Sequence, residues 1–189
     1  MKQCLLKFLM SFFTGICERL YQGDGLNIPL RFLPTRMIAP LLVKYGARVG
    51  KDVRFNAPMT VHNSAFQTGQ YYRNLTVGAH CYIGREFFLD LQDRVVIGDN
   101  VTISHQVSIY THTDAGNSPL AGKAIPTSQA PVTIGKGAYI GSRVTILEGV
   151  SIGENAVIGA GSLVHKSVNA DDRVAGVPAR SIVRSGRTS

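Results

Sequence analysis

The chain has 189 residues, of which 44% are hydrophobic and 17% charged, so it is long enough for one sizeable core and too apolar for a disordered protein. Its net charge of +8 is uneven: residues 1–54 hold nine Lys and Arg against three acids, residues 55–165 six against seven, and the remainder five against two. Basic ends can contact cofactor phosphates, a membrane surface or nucleic acid, but no nucleic-acid-binding motif accompanies them, so we expect no nucleic-acid partner. Three irregularly spaced cysteines form no metal or disulfide pattern, which is typical of a cytoplasmic protein.

Residues 1–45 have no six-residue period and predict a helical N-terminal segment with breaks at Pro29, Pro34 and Pro40. The first helix carries one narrow polar stripe on an otherwise apolar surface: Gln3, Lys7, Ser11, Thr14 and Glu18. Because Lys7 interrupts the apolar run and no small-residue cleavage site follows, we predict neither a membrane span nor a signal peptide. Two interpretations stay open: the helix packs on its own domain or a neighbouring subunit, or it makes peripheral contact with the inner face of a membrane.

Further along the chain, aliphatic residues recur at every sixth position in three runs: Val77, Ile83, Leu89; Ile97, Ile103, Ile109; and Ile134, Ile140, Ile146, Ile152, Ile158, Val164. The residue after each aliphatic is small twice and then large, four times over, so three units form one turn of a triangular coil. The residue four positions after each aliphatic is usually small or Val, and should also face inward. The sequence therefore predicts a mainly β fold, a parallel β-helix of hexapeptide repeats over residues 46–169.

Two departures interrupt this period. The first adds two residues at the corner after Leu89. The second is a loop excursion over residues 113–131, after which the period resumes at Ile134; long loops on a regular scaffold are often functional. Residues 170–189 should form a C-terminal cap and a basic tail, because a solenoid needs covered ends.

The long loop leaves the coil at a cluster of polar side chains, Ile109-Tyr110-Thr111-His112-Thr113-Asp114. An imidazole with an ordinary pKa of about 6.5 is largely neutral at pH 7 and can accept a proton from a hydroxyl. His112 is therefore a candidate general base, although an exposed loop histidine without a role would look the same in the sequence. His105 should face outward, and the seven-residue spacing of the two histidines does not fit the zinc sites of β-helix carbonic anhydrases, so we expect no metal.

Four strings along the coil point to a family: Ile97-Gly98-Asp99-Asn100-Val101, Tyr110-Thr111-His112-Thr113-Asp114, Ile158-Gly159-Ala160-Gly161-Ser162 and Ala175-Gly176-Val177-Pro178-Ala179-Arg180. With them, residues 75–184 resemble the hexapeptide-repeat O-acetyltransferases, including the maltose and galactoside acetyltransferases and the enzymes that decorate cell-surface polysaccharides. The resemblance implies a left-handed coil, acetyl-CoA as co-substrate, and a homotrimer with active sites between subunits.

In that family, a histidine at the position of His112 deprotonates the acceptor hydroxyl, which then attacks the thioester of acetyl-CoA. The resemblance assigns coenzyme A binding to four positions: Ser142, Ala160, Lys166 and Arg180. His165 and Val183 depart from the family pattern. We expect Asp90 to orient His112 or to bind the acceptor sugar together with two further residues, Tyr110 and Asp114.

The sequence thus predicts a cytoplasmic, acetyl-CoA-dependent O-acetyltransferase that acts on a sugar hydroxyl in cell-surface polysaccharide biosynthesis. A sugar-nucleotide N-acetyltransferase of the same fold stays open, because an amine acceptor also benefits from a base. A non-enzymatic β-helix scaffold is the third possibility. Such a scaffold would need neither His112 at the mouth of the loop nor the coenzyme A set.

Overall fold

The structure is a computed structural model that describes residues 2–64 and 68–182. Three helices precede the coil: α1 (Lys2–Gly25), α2 (Asn27–Phe32) and α3 (Thr35–Lys44). The rest of the described chain is a left-handed parallel β-helix, as the sequence predicts. Within the described residues, no helix is both long and apolar enough to cross a membrane.

The described residues contain nineteen short strands, of which all but the two of the long loop belong to the three sheets of the coil. The first two turns contain β1 (Arg48–Val49), β2 (Arg54–Phe55), β3 (Met59–His62), β4 (Leu75–Val77), β5 (Tyr82–Ile83) and β6 (Phe87–Asp90). The third turn and the long loop contain β7 (Val95–Ile97), β8 (Thr102–Ile103), β9 (Ser108–Ile109), β10 (His112–Thr113) and β11 (Ser128–Gln129). The last strands are β12 (Val132–Ile134), β13 (Tyr139–Ile140), β14 (Thr145–Ile146), β15 (Ser151–Ile152), β16 (Val157–Ile158), β17 (Leu163–Val164), β18 (Arg173–Ala175) and β19 (Arg180–Ser181).

Parallel pairing between successive turns gives the coil three sides. The first side is β1-β4-β7-β12-β15, the second is β2-β5-β8-β13-β16-β18 with β19 added antiparallel, and the third side is β3-β6-β9-β14-β17. Every third unit therefore falls on the same side, which confirms the period of three hexapeptides per turn. Pairing of Val95 with Val132 shows that the chain returns to the coil directly after the long loop.

The interior of the coil consists of the two predicted inward positions. All twelve aliphatic residues of the repeat are at most 2% exposed. Most residues four positions later are buried as well: Cys81, Phe87, Val101, Val107, Ala138, Val144, Val150 and Ala156. The residue after each aliphatic must be small on two sides because the next turn lies directly against it: a Cβ at Gly141 would be 2.6 Å from the backbone nitrogen of Ala160. The sequence pattern thus has a steric cause.

The coil begins with β1, inside the residues 46–169 of the sequence prediction, and extends beyond them at its C-terminal end. At the start, the spacing of Val49, Phe55 and Val61 is again six, and β3 supplies the third side of the first turn. At the end, β18 pairs with β16 and continues the second side to Ala175.

The helices cover the open start of the coil. Leu30, Ile38 and Leu42 are fully buried there, and the Asn27 amide closes the free edge of β3 through two 2.8 Å hydrogen bonds with the backbone of Val61. Of the predicted proline breaks, only Pro34 lies between helices. Pro29 and Pro40 lie inside α2 and α3, so those two predictions are wrong; Pro29 is in a first turn, where no backbone donor is lost.

Helix α1 packs with its polar side inward. Thr14 and Cys17 are buried, and the Tyr45 hydroxyl donates a 2.9 Å hydrogen bond to Glu18. The opposite, apolar face is exposed to solvent: Leu9, Phe12, Phe13, Ile16 and Leu20. The Thr14 and Glu18 end of the predicted polar stripe therefore contacts the domain, whereas Ser11 is exposed. The side chains of Gln3 and Lys7, at the start of the stripe, lie outside the described residues.

Candidate active site

Asp90 and His112 meet on the third side of the coil, where the long loop begins. Strand pairing sets His62 opposite Asp90, and the pairing of Leu89 with Ile109 puts Tyr110 opposite Asp90 in the next turn. The chain leaves the coil two residues later. The His112 Nδ1 atom lies 2.6 Å from the Asp90 Oδ2 atom.

The Asp90 carboxylate is fully buried and each oxygen has several donors. Oδ2 accepts hydrogen bonds from the Thr111 backbone N–H (2.8 Å) and hydroxyl (2.9 Å), and Oδ1 accepts from the Asn63 amide (3.0 Å) and the Gln92 backbone N–H (3.2 Å). Burial opposes ionisation, but hydrogen bonds from His112, Thr111 and Asn63 outweigh it and lower the pKa of Asp90 below its usual range. Asp90 is therefore a carboxylate at neutral pH.

This environment sets the tautomer of His112. An ionised carboxylate can only accept hydrogen bonds, so the Nδ1 atom of His112 carries the proton that it donates to Asp90. In the neutral ring, the Nε2 atom then holds the lone pair. His112 is half-buried, so the arrangement can accept a proton from a bound hydroxyl and share the resulting positive charge with Asp90.

The two-residue insertion after Leu89 forms the corner that encloses this carboxylate. The Gln92 backbone N–H contacts Asp90, and the Asp93 backbone N–H donates a 3.0 Å hydrogen bond to the Thr111 hydroxyl. That hydroxyl is thereby aimed at the Asp90 carboxylate. The break in the hexapeptide period and the buried charge are thus the same structural feature.

Two further residues lie at the site that the sequence does not single out. The Asn63 amide nitrogen is 3.3 Å from Nδ1 and 3.2 Å from Nε2 of His112, and the His62 ring centroid is 6.3 Å from that of His112. From the sequence His62 has no partner, and the structure corrects this. The backbone of Asn63 has a φ of 49°, a region that Asn tolerates better than most residues. The six-residue spacing from Phe55 to Val61 is a sequence signal for His62, because it sets His62 opposite Asp90.

The root of the long loop is a short antiparallel hairpin of β10 with β11. The Thr113 hydroxyl (2.8 Å) and the Ser128 hydroxyl (3.1 Å) both donate to the Glu148 carboxylate of the next turn. The Ala130 backbone N–H also donates to the Thr111 carbonyl, at 3.0 Å. The loop is therefore anchored beside His112 by both of its ends.

The structure separates the three residues expected to bind the acceptor. Asp90 is fully enclosed by protein donors, a geometry that favours the orienting role over direct sugar binding. The Tyr110 ring packs on Phe88, with centroids 5.3 Å apart. Asp114 is exposed on the loop, where its carboxylate accepts a 2.8 Å hydrogen bond from the Gly116 backbone N–H.

The residues expected to bind coenzyme A lie in the last turns of the coil and in β19. Pairing of Ile140 with Ile158 puts Ser142 and Ala160 at the same position of adjacent turns, as their spacing of eighteen predicts. Lys166 and Arg180 are exposed, and the Arg180 guanidinium donates a 2.9 Å hydrogen bond to the Ala179 carbonyl. His165 is only half-exposed, and Val183 lies outside the described residues.

The remaining histidines lie apart from this cluster. His105 is exposed, as predicted, and its Nδ1 atom accepts a 3.0 Å hydrogen bond from the Arg85 backbone N–H. His80 is 3.4 Å from Asp52 at a corner of the first turn. Across residues 2–64 and 68–182, no group of three His, Cys, Asp or Glu side chains is arranged to hold a metal ion.

A cavity of about 180 Å³ adjoins Asn63. One wall is the C-terminal end of α1, from Tyr21 to Asp24, and the other is residues 62–64 with Tyr71. The lining offers a carboxylate, an amide, a hydroxyl and aromatic rings. Its composition fits a small polar ligand better than an apolar one.

In sequence, the chain is similar to known transferases built from hexapeptide repeats. Residues 131–166 match the family model "Bacterial transferase hexapeptide (six repeats)". The galactoside O-acetyltransferase of Escherichia coli is 39% identical over 111 residues, which is 56% of this chain and 54% of that protein. The serine acetyltransferase of Buchnera aphidicola is 41% identical over 101 residues, 53% of this chain and 35% of that protein.

Among solved structures, a galactoside acetyltransferase in complex with coenzyme A has a TM-score of 0.71 and 27% identity, and the alignment covers 90% of this chain and 82% of the other. The chain spans about half or less of the length of the two curated relatives above. The hexapeptide repeat, the β-helical fold and the sequence similarity all fall on the same part of the chain, the coil. The chain is therefore similar to the hexapeptide-repeat transferases, in sequence over the coil and in fold over most of its length.

Proposed function

We propose that the protein transfers the acetyl group of acetyl-CoA to a hydroxyl group of a sugar, with His112 as the general base. The observation that carries this is the Asp90–His112 contact of 2.6 Å, because it puts the lone pair on Nε2, where an acceptor hydroxyl can replace the Asn63 amide as the hydrogen-bond donor. A scaffold without catalysis would gain nothing from a buried carboxylate that fixes a half-buried imidazole.

The reaction needs no covalent enzyme intermediate. His112 accepts the proton of the acceptor hydroxyl at Nε2 while the hydroxyl oxygen bonds to the thioester carbonyl carbon. When the tetrahedral intermediate collapses, its carbon–sulfur bond breaks and His112 returns the proton to the departing thiolate. Asp90 stabilises the imidazolium in between and keeps the ring oriented, as a buried carboxylate does for histidine bases in general.

We infer that acetyl-CoA lies along the end of the coil that carries Ser142 and Ala160. Those two residues lie in adjacent turns, so an extended pantetheine chain can contact both. Lys166 and Arg180 are exposed cations near the same end, suited to the phosphates. The similar galactoside acetyltransferase structure holds coenzyme A, which supports coenzyme A as a ligand of this fold.

We favour a sugar as the acceptor, in the biosynthesis of a cell-surface polysaccharide. The galactoside acetyltransferase is similar in both sequence and structure, and the polar, partly aromatic cavity beside Asn63 suits a saccharide. The similarity to serine acetyltransferases makes the hydroxyl of a free amino acid a second candidate. An amino sugar is a third, since the same base serves an amine.

We also propose a cytoplasmic homotrimer with active sites between subunits. In the single chain, two apolar side chains of residues 113–131, Leu120 and Ile125, are exposed to solvent. A neighbouring copy that covers these residues would exclude water from the thioester. Light scattering should give three times 20.4 kDa; a monomer at micromolar concentration would contradict the trimer.

An acceptor panel tests the reaction class. Purified protein with acetyl-CoA should release coenzyme A in the presence of galactosides or other hydroxyl saccharides, and mass spectrometry should show one acetyl group on the sugar. The matched acceptors are L-serine and the corresponding 2-amino sugar. Faster transfer to serine, or to the amine with no transfer to hydroxyls, would replace the proposed acceptor; no transfer to any of them would contradict the proposal.

A further inference from the structure

Helix α1 exposes a continuous apolar face to solvent. Leu9, Phe12, Ile16 and Leu20 follow one another at three- or four-residue intervals, so they lie on one side of the helix, with Phe13 beside them. Phe12 is 64% and Leu20 68% exposed. Single exposed apolar residues are common, but a contiguous stripe of five on one helix indicates a surface that is covered in the working state.

The charge of this region indicates what covers the stripe. Residues 1–54 hold nine Lys and Arg against three acids, whereas residues 55–165 carry slightly more acids than bases. Arg19 is exposed at the margin of the stripe, where its side chain can reach an anionic headgroup while its aliphatic part stays near the apolar surface. Packing identical basic segments of several copies against each other would bring like charges together, which is unfavourable.

The same helix forms one wall of the cavity near His112. Leu20, at the end of the stripe, directly precedes Tyr21, which lines the cavity together with Asp24. The opposite wall includes Asn63, which contacts His112 and Asp90. An interfacial helix lies roughly 5–10 Å deep in the headgroup region, and a helix is about 10 Å across, so the cavity would lie within reach of headgroups.

We propose that the apolar face of α1 binds an anionic membrane surface, and that the cavity takes a saccharide carried on a membrane lipid. This inference rests on the proposed sugar acetylation for its second half only. A lipid-carried saccharide is held at headgroup level, where the Tyr21–Asp24 wall would meet it. A freely diffusing acceptor would gain nothing from an apolar stripe next to its binding cavity.

Two substitutions at adjacent positions distinguish the contribution of the apolar stripe to membrane binding from the effect of one added negative charge. Phe12→Glu and Ser11→Glu each add one negative charge to α1 at an exposed position, but only Phe12 lies on the apolar face. Wild type should sediment with phosphatidylcholine vesicles containing phosphatidylglycerol, more weakly at high salt, and poorly with phosphatidylcholine alone. Phe12→Glu should lower the vesicle partition coefficient about tenfold or more, and Ser11→Glu about threefold at most.

Vesicle binding can also fail in an informative way. If wild type does not bind anionic vesicles, or if both variants bind like wild type, the membrane surface is excluded as the occupant. If light scattering shows instead that Phe12→Glu dissociates the assembly while wild type ignores vesicles, the stripe is a subunit interface and the proposal is overturned.

The acceptor class is tested by two forms of one sugar, dodecyl galactoside in anionic vesicles and methyl galactoside in solution. Phe12→Glu should lower the rate with the vesicle-bound form about tenfold and leave the soluble form unchanged, while Ser11→Glu changes neither by much. Equal rates of Phe12→Glu and wild type on the vesicle-bound form would overturn the lipid-carried acceptor. Absence of transfer to either form, with vesicle binding intact, would contradict the sugar acetylation and leave the membrane contact standing.

Discussion

The coil after residue 131 and the corner around Asp90 use the same hexapeptide architecture for opposite purposes. In the first region, six consecutive units keep the period and the inward side chains are apolar apart from the Ser162 hydroxyl, which donates to the Gly159 carbonyl. In the second, two extra residues and a long loop interrupt the period, and a charged carboxylate is buried with a complete set of donors. The comparison teaches that the regular repeat supplies rigidity, and that the chemistry lies where the repeat is broken.

Replacing the buried carboxylate should have the largest effect on activity. Asp90→Asn turns an acceptor into an amide that cannot fix the His112 tautomer, so kcat should fall by about 10²–10⁴. Coenzyme A binding, measured by calorimetry, should be unchanged. A kcat of Asp90→Asn within threefold of wild type would show that the Asp90 carboxylate is not needed for catalysis.

The same variant tests the charge of Asp90 through stability. Because the folded-state pKa of Asp90 is lowered, its ionised form contributes stability above the ordinary Asp pKa of about 3.9, and this contribution is lost as the pH falls through the folded-state value. The unfolding free energy of wild type, measured by urea titration, should therefore decrease below about pH 4. Asp90→Asn should not show this decrease of the unfolding free energy at low pH. If the unfolding free energy of both proteins falls with pH at the same slope, Asp90 is not the group responsible.

A cavity-forming substitution in the regular coil should lower stability and leave kcat nearly unchanged. Ile146 is fully buried on the third side, one turn beyond Ile109, so Ile146→Ala should cost about 2–5 kcal/mol of unfolding free energy. The kcat at a temperature where the variant is folded should stay within about threefold, since no group of the site is removed. Urea titration and steady-state kinetics measure the two quantities. A large loss of kcat without loss of stability would remove the distinction between the two regions.

Asn63 should have a smaller effect, because it contacts His112 and Asp90 without being the base. Asn63→Gly removes the amide and keeps the positive φ at no steric cost, whereas Asn63→Ala adds about 1 kcal/mol of backbone strain. Both variants should lose about tenfold in kcat/KM and shift the acidic limb of the pH–rate profile. If only Asn63→Ala loses activity, the loss comes from backbone strain and the amide does not take part in catalysis.

The coenzyme A end of the coil should show the smallest effect, confined to binding. Arg180→Ala should raise the KM for acetyl-CoA about tenfold and leave kcat nearly unchanged, because a remote phosphate contact contributes equally before and during reaction. Lys136→Ala removes the same charge from an exposed corner elsewhere and is the control. A collapse of kcat with constant KM would move the cofactor to another place.

The sequence predicts the regular region far better than the interrupted one. Twelve aliphatic anchors at six-residue spacing define the sides of the coil, because each unit packs only against its neighbours along the chain. His112 and Asp90 could be singled out from their position on the third side. Asn63 could not, since its contact with them depends on the preceding turn, and residues 62–76 leave the period before it is established.

The sequence pattern also does not predict which face of α1 packs against the domain. A polar stripe on an apolar helix suggests that the broad apolar surface is buried, yet Thr14 and Cys17 face the domain and Phe12 faces solvent. The hydrogen bond from Tyr45 to Glu18 explains part of this choice, because it satisfies two polar groups at once. Such a long-range pair has no signature in the local sequence.

The central claim is that the broken corner holds a catalytic base, and one kinetic comparison tests it directly. His112→Ala should lose about 10²–10⁴ in kcat with little change in stability, since the half-buried ring fills no core position. His105→Ala, at an exposed corner of the same coil, should stay close to wild type. If His105→Ala is inactive and His112→Ala retains activity, the base lies elsewhere and the account of this site is wrong.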